Sequence, residues 1–222
     1  MCRSLDKLLS EGNLKLLDHY SKFNPSPLTL KQFMEFGRTA SEEESYLFLR
    51  KEIPVRLANI MKEINLLPSN LLQMPSVLIL QNCHVSSFQS LLEYETCDHA
   101  DKKILAKFCE TLKDIQTRHG SVVQTMAQGV LELKESHSVD AQTEMRIQYF
   151  LDRFYMSRIS LRMLIHQHTL LFEPNADKDT PRVGIIDPHC KVKSVIMDAY
   201  QNAAFLCEEY YDCAPDIELR GL

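Results

Sequence analysis

Glycine is scarce in this sequence: six in 222 residues, at Gly12, Gly37, Gly120, Gly129, Gly184 and Gly221. No two lie within four residues of each other. A phosphate-cradling loop needs clustered glycines so that backbone N–H groups can approach the oxygens. A P-loop, a dinucleotide fingerprint and a protein-kinase glycine-rich loop are therefore excluded. Positive charge is also short, with a net charge of −5, which gives no reason to expect nucleic acid or an anionic membrane surface as partner. No apolar run reaches the roughly 18 residues needed to cross a bilayer. The seven cysteines form no Cys-x-x-Cys, and their number is odd. Most sit in apolar helical segments, where cysteine behaves as a small hydrophobe in a reducing compartment. Alternating strand patterns are few, while hydrophobic residues make up 45% of the chain. The expectation is an all-α fold with a sizeable core.

What is present is organised around 104–172. Leu105, Phe108, Leu112, Ile115, His119, Val122 and Met126 follow one another at steps of three and four. Ile147, Leu151, Phe154, Arg158, Leu161, Ile165, His168 and Phe172 do the same. Such steps keep side chains on one helical face. The spacing predicts two long helices, about 98–136 and 141–172, joined by the polar turn Ser136-His-Ser-Val-Asp140. His119, Arg158 and His168 are the polar members of these seams. His119 and Arg158 are equidistant from the centre of the turn, so in an antiparallel hairpin they are level and face each other. An arginine there cannot discharge itself and needs an anion. Two readings stay open: a structural ion pair beside a satisfied core histidine, or a ligand carboxylate.

The remaining elements read as follows. Residues 5–22 form a short amphipathic helix through Leu5, Leu8, Leu9 and Leu16, broken by Asn24-Pro-Ser-Pro27. Thr29 caps a short helix holding Phe33 and Phe36 and ending at Gly37. Ser41-Glu-Glu-Glu44 is a capping box for a helix reaching about Leu67, with Pro54 inside it. Pro68 and Pro75 bracket a loop before a helix over about 76–94, with Leu78, Leu91 and Leu92 among its buried candidates. Gly120 and Gly129 each cost about 1 kcal/mol inside a helix and mark a bend or close packing. Val183-Gly-Ile-Ile186 is a short extended piece. A last helix, about 192–213, turns Val195, Ile196, Ala199, Ala203, Leu206 and Tyr210 to one side. The bundle is expected from 42–67, 98–136, 141–172 and 192–213, with 76–94 alongside. His166 and His168 point apart on a helix and make a poor metal site. His189 and Cys190 lack an orienting partner for nucleophilic chemistry. The aromatic cluster of Leu28, Phe33, Phe36 and Phe48 is either satellite core or an apolar docking groove.

Several long runs then carry a resemblance. They are Ser21-Lys-Phe-Asn-Pro-Ser-Pro-Leu28, Lys31-Gln-Phe33, Pro54-Val-Arg-Leu-Ala-Asn-Ile-Met-Lys-Glu-Ile-Asn-Leu-Leu-Pro68, Thr125-Met-Ala-Gln-Gly129 and Gln148-Tyr-Phe-Leu-Asp-Arg-Phe-Tyr-Met-Ser-Arg-Ile-Ser160, with a segment ending in Ile186-Asp-Pro188. Together they resemble the mitochondrial pyruvate dehydrogenase kinases over nearly the whole chain from about residue 20. The resemblance implies a four-helix-bundle-like regulatory domain over 21–222, with extra short N-terminal helices. Residues 1–20 form a separate segment with a weak targeting character from Arg3, Lys7 and serines, opposed by Asp6 and Glu11.

The function implied is a protein-serine kinase of the mitochondrial matrix that phosphorylates and inactivates pyruvate dehydrogenase. ATP and magnesium are expected for the full-length family in a second, α/β lobe. Here there is neither a Glu-x-x-x-Asn box nor an Asp-x-Gly-x-Gly, so the expectation is that this chain alone binds no cofactor and holds no catalytic residue or metal. The alternative is a non-catalytic module that docks lipoyl domains.

The resemblance also assigns two sites. Leu57, Ser87, Ile115, His119, Ser157, Arg158, Leu161, Arg162 and Ile165 match a pocket for a small carboxylate effector. Leu28, Phe33, Phe36 and Phe48 match the slot for the lipoyl-lysine of the dihydrolipoyl transacetylase core. The sequence departs from the family where Cys83 and His84 replace an aromatic pair and Gln116 replaces an arginine. The loss of one charge and two rings implies weaker anion binding, or a different ligand.

Overall fold

The computed structural model describes residues 8–97, 101–173 and 181–221. The predicted residues Cys2, Leu5 and Pro174, and with Cys2 the start of the N-terminal segment, lie outside these. Among the described residues the fold is all-α, as expected, with one isolated antiparallel bridge between Val183 and Ile186.

Helix starts follow the capping chemistry written in the sequence. Helix α1 spans Glu11–Tyr20 behind Ser10, whose side chain accepts from the Asn13 N–H. Helix α2 is Leu30–Thr39, with a reciprocal capping box between Thr29 and Gln32. Helix α3, Glu42–Ile64, opens on the Ser41–Glu44 box, with three acids in its first turn facing the positive end of the dipole. It runs through Pro54. A four-residue helix, α4, Ser69–Leu72, occupies the span predicted as loop, and α5 covers Pro75–Leu92 with proline at its first turn.

The predicted first long helix is in fact two. Helix α6, Lys102–Arg118, ends at His119, and α7 resumes over Val122–Ser136. The break falls at Gly120, where the sequence suggested a bend. Helix α8, Ala141–Phe172, is continuous for 32 residues from its Asp140 cap. Gly37 does not end α2 but lies within it: a Cβ there would sit 2.5 Å from Val183 Cγ1 and 2.7 Å from Gln167 Nε2. Gly129 likewise admits Val77, whose Cγ2 lies 2.6 Å from a hypothetical Cβ. Leu78 is exposed rather than buried.

The described residues fall into two compact units. The first holds the bundle and Val183–Ile186; the second holds the residues on either side of that turn, 181–182 and from Asp187 on, and contains α9, Val192–Tyr211. Helix α9 has no buried residue, so the expected fourth bundle member is replaced by α5. Within the first unit α3 packs on α5 and α8, α6 on α8, and α7 on α5.

The bundle has two apolar cores. One gathers Leu57, Phe88, Phe108, Leu112, Ile115, Leu161 and Ile165; the other gathers Ile64, Leu80, Val122, Met126, Leu133, Ile147 and Phe154. The α6–α7 break separates the contributors to the first core from those to the second. On α8 the same division falls between Phe154 and Leu161. His119 and Arg158 are the polar seam residues at that division.

Candidate functional site

A cavity of about 240 Å³ opens where the two cores part. It is lined by His119 and Gly120 at the helix break, Gln116 and Thr117 just before it, and Arg158, Leu161, Arg162, Ile165 and His166 along α8. The expected juxtaposition of His119 and Arg158 across the hairpin thus takes the form of a shared cavity wall. Leu57 and Ile115 are fully buried in the adjoining core. Ser157 lines a separate cavity, of about 380 Å³, with Arg56 and Ser160.

His119 is held from behind. Its Nε2 lies 2.9 Å from Ser87 Oγ on α5. Arg118 Nη1 donates to the same oxygen at 3.0 Å, and the Ser87 hydroxyl donates to the Cys83 carbonyl at 2.8 Å. A hydroxyl has one proton and two lone pairs, so these three bonds use it completely. The His84 ring meets His119 edge-on at 4.8 Å, and its Nδ1 donates to the Leu80 carbonyl at 2.8 Å. Burial pushes the His119 pKa down to about 3, helped by His84, Arg118 and Arg158. Burial alone accounts for His84 falling to about 4. Both rings are therefore neutral near pH 7.

Arg158 has no such support. Its Nε is buried without a hydrogen-bond partner, and among the described residues it makes no ion pair. Burial, and then the charge of Arg162, depress its pKa. A guanidinium keeps its proton under such pressure, so the cavity retains a positive charge that no carboxylate among the described residues answers. Arg162 depresses His166 as well, after burial. This wall of cations with an unused N–H is suited to a small anion.

The second cavity, of about 210 Å³, is apolar. Leu28, Phe33, Phe36 and Phe48 all line it, with Leu49 and Leu164 beside them. Ser45, Gln32, Gln167 and His168 supply its few polar groups. His168 is buried, its Nδ1 2.7 Å from Ser45 Oγ, and burial brings its pKa down to about 4. His166 and His168 thus belong to different cavities.

Against this geometry the comparisons with known proteins are decisive. A profile of the mitochondrial branched-chain alpha-ketoacid dehydrogenase kinase family matches residues 27–187. The chain belongs to this family. It is 56% identical over 208 residues to the mitochondrial pyruvate dehydrogenase (acetyl-transferring) kinase of Drosophila melanogaster, covering 93% of this chain and 50% of that protein. It is 52% identical over 215 residues to isozyme 3 from Mus musculus, covering 96% and 52%. With isozyme 1 from Homo sapiens the identity is 51% over 211 residues, covering 93% and 48%. The chain spans about half the length of the curated relatives it matches. The resemblance to pyruvate dehydrogenase kinases read from the sequence is borne out.

Sequence reasoning missed several residues that line or support the cavities of this kinase-family bundle. Arg118 precedes a seam histidine, but it lies off the seam of an uninterrupted helix. Only the helix end at His119 turns it toward Ser87. His166, a poor metal ligand by its spacing, is a wall of the cationic cavity. Gln167 carried no signal, since a glutamine on α8 reads as a solvated position, yet it is 3% exposed.

Proposed function

We propose that this chain is the regulatory, ligand-docking part of a protein-serine kinase that phosphorylates and inactivates pyruvate dehydrogenase in the mitochondrial matrix. The relatives are named as mitochondrial pyruvate dehydrogenase kinases, which supports the substrate and the organelle. In this reading the cationic cavity takes a small carboxylate effector, with Arg158 as the anchor and Arg162 and His119 around it. The apolar slot of Leu28, Phe33, Phe36 and Phe48 takes the lipoyl group of the transacetylase core, an alkyl arm ending in a dithiolane. The observation that carries the proposal is Arg158: a half-buried guanidinium with an unused Nε–H, no ion pair among the described residues, and a second guanidinium beside it.

ATP and magnesium are the cofactors expected of the full-length family. The residues here do not fit them. The glycines are scattered, and among the described residues no group of three or more His, Cys, Asp or Glu could hold a metal. No phosphoryl-transfer step is assigned to these side chains.

The test is thermal denaturation with and without a millimolar monocarboxylate such as pyruvate. The parent protein is expected to melt higher with the acid, and Arg158→Ala to lose that gain while keeping its own melting point within a few degrees. A parent protein that ignores the acid returns Arg158 to a purely structural role. For the slot, a lipoylated domain is titrated against its unlipoylated form. Equal affinities would end the lipoyl assignment.

A further inference from the structure

Helix α2 supplies two of the six aromatic and aliphatic side chains that line the slot, Phe33 and Phe36, yet none of its ten residues is buried. Something other than a buried apolar face must fix its position. Gln167 of α8 does much of this. Its Nε2 donates to the Phe33 carbonyl of α2 at 3.3 Å and to the Val183 carbonyl at 3.3 Å, and its Oε1 accepts from the Ile185 N–H at 2.9 Å. Both amide protons are used, and each bond goes to backbone. The turn Val183–Ile186 closes on itself through two reciprocal backbone bonds, of 2.8 and 3.1 Å.

Two glycines make this junction possible. Gly37, in the middle of α2, leaves room for Val183 and Gln167. Gly184 has φ +60°, and a side chain there would overlap the Gln167 amide. Helix, turn and amide therefore interlock at one spot. That spot adjoins the slot, because Gln167 and Phe33 both line it.

We infer that Val183–Ile186 is a latch, and Gln167 the positioning residue, that together hold α2 in place and so set the opening of the apolar slot. This rests on the slot being a ligand site, as proposed above, and adds how the site is regulated. A slot held by a separable turn has two states. With the latch fastened, α2 is held and the apolar walls are spaced for a slender alkyl arm. With the latch released, α2 has only a partly buried face to keep it docked, and local opening follows. Ligand and latch then favour each other, since each stabilises the same position of α2. The turn is also a first-unit segment flanked on both sides in the chain by residues of the second unit.

The experiment uses hydrogen exchange on the full chain, read by peptide mass spectrometry, together with lipoamide titration. Gly184→Ala breaks the latch from the turn side by displacing the Gln167 amide; Gln167→Met breaks it from α8 at nearly constant volume. Both are expected to speed exchange in α2 about tenfold, as the loss of bonds each worth a factor of a few implies. Exchange in α6 and α7 should stay unchanged. Lipoamide should bind each variant about tenfold more weakly, and in the parent it should slow exchange at Val183–Ile186. If exchange rises in the turn but not in α2, the latch does not position the helix and the inference is overturned. Faster α2 exchange with unchanged lipoamide affinity overturns the regulatory part. A parent that binds no lipoamide, with α2 exchange still rising in both variants, sinks the slot assignment instead and leaves the mechanical role of the latch standing.

Discussion

The two cavities differ in almost every respect, although α8 forms a wall of both. One is lined by unanswered positive charge; the other by aliphatic and aromatic side chains. His166 and His168 show how one helix serves both: two residues apart, their side chains leave the axis in nearly opposite directions. The cationic cavity lies where two apolar cores fail to meet, at a helix break. The slot lies where a poorly buried helix rests against the bundle. Charge defines the first cavity, and a wall helix with no buried residue defines the second.

The sharpest way to break the comparison is to remove each anchor and ask whether the other site notices. Arg158→Ala deletes the charge-assisted bond expected to hold a carboxylate. It should weaken carboxylate binding by roughly 10- to 100-fold and leave lipoamide binding unchanged, both read by calorimetry. Phe48→Ala should do the reverse, weakening lipoamide about tenfold through lost apolar contact. If either substitution weakens both ligands equally, the cavities are one coupled site and the contrast drawn here fails.

The part of this design that was legible in the sequence is the part written in local chemistry. The caps read at Thr29 and Ser41 act as their residue types dictate. The three-and-four stepping found the buried seam from Leu105 to Met126, and it singled out His119 and Arg158, which line one cavity. Stepping cannot register a break, because a one-turn interruption at His119–Ser121 leaves the apolar order intact on either side. Nor can it choose partners: α9 has an apolar stripe as good as that of α5, and only tertiary packing places α5 in the bundle. Gly37 suggests a helix stop because glycine often follows helix ends, whereas here it admits the side chains of Val183 and Gln167. The role of Gln167 depends on a turn 16 residues away, which no local pattern contains.

Acid should distinguish the regions next. His84, His119 and His168 are held neutral by burial, with pKa values near 4, 3 and 4. In the unfolded chain each would titrate near 6.5. The unfolded state therefore binds more protons below that value, so their contribution to stability is intact above about pH 6.5 and is lost as pH falls toward 4. Each histidine contributes a slope of up to about 1.4 kcal/mol per pH unit in that window. Denaturant midpoints between pH 7 and 5 should fall steeply, and His84→Phe should flatten the slope by about one proton. Because His84 backs the cationic cavity, the same substitution should leave lipoamide affinity unaltered.

The smallest expected effect concerns charge at the cavity mouth. Gln116 lines the cationic cavity where the family resemblance implies an arginine. The cavity already holds Arg158 and Arg162 with no carboxylate among the described residues paired to Arg158, so a third guanidinium acts in two opposing ways. Without ligand it adds repulsion, and Gln116→Arg should lower the melting temperature slightly. With a bound carboxylate it adds attraction across a partly solvated gap, where a charge is worth about 1 kcal/mol or less. The net expectation is a gain in carboxylate affinity of a factor of a few, larger at low salt and shrinking as ionic strength rises. Lipoamide affinity, set by apolar walls and the latch, should not change with salt at all. A salt-independent gain at Gln116→Arg would mean the residue acts through shape, and the cavity would then be defined by its walls, as the slot is, and not by its charge.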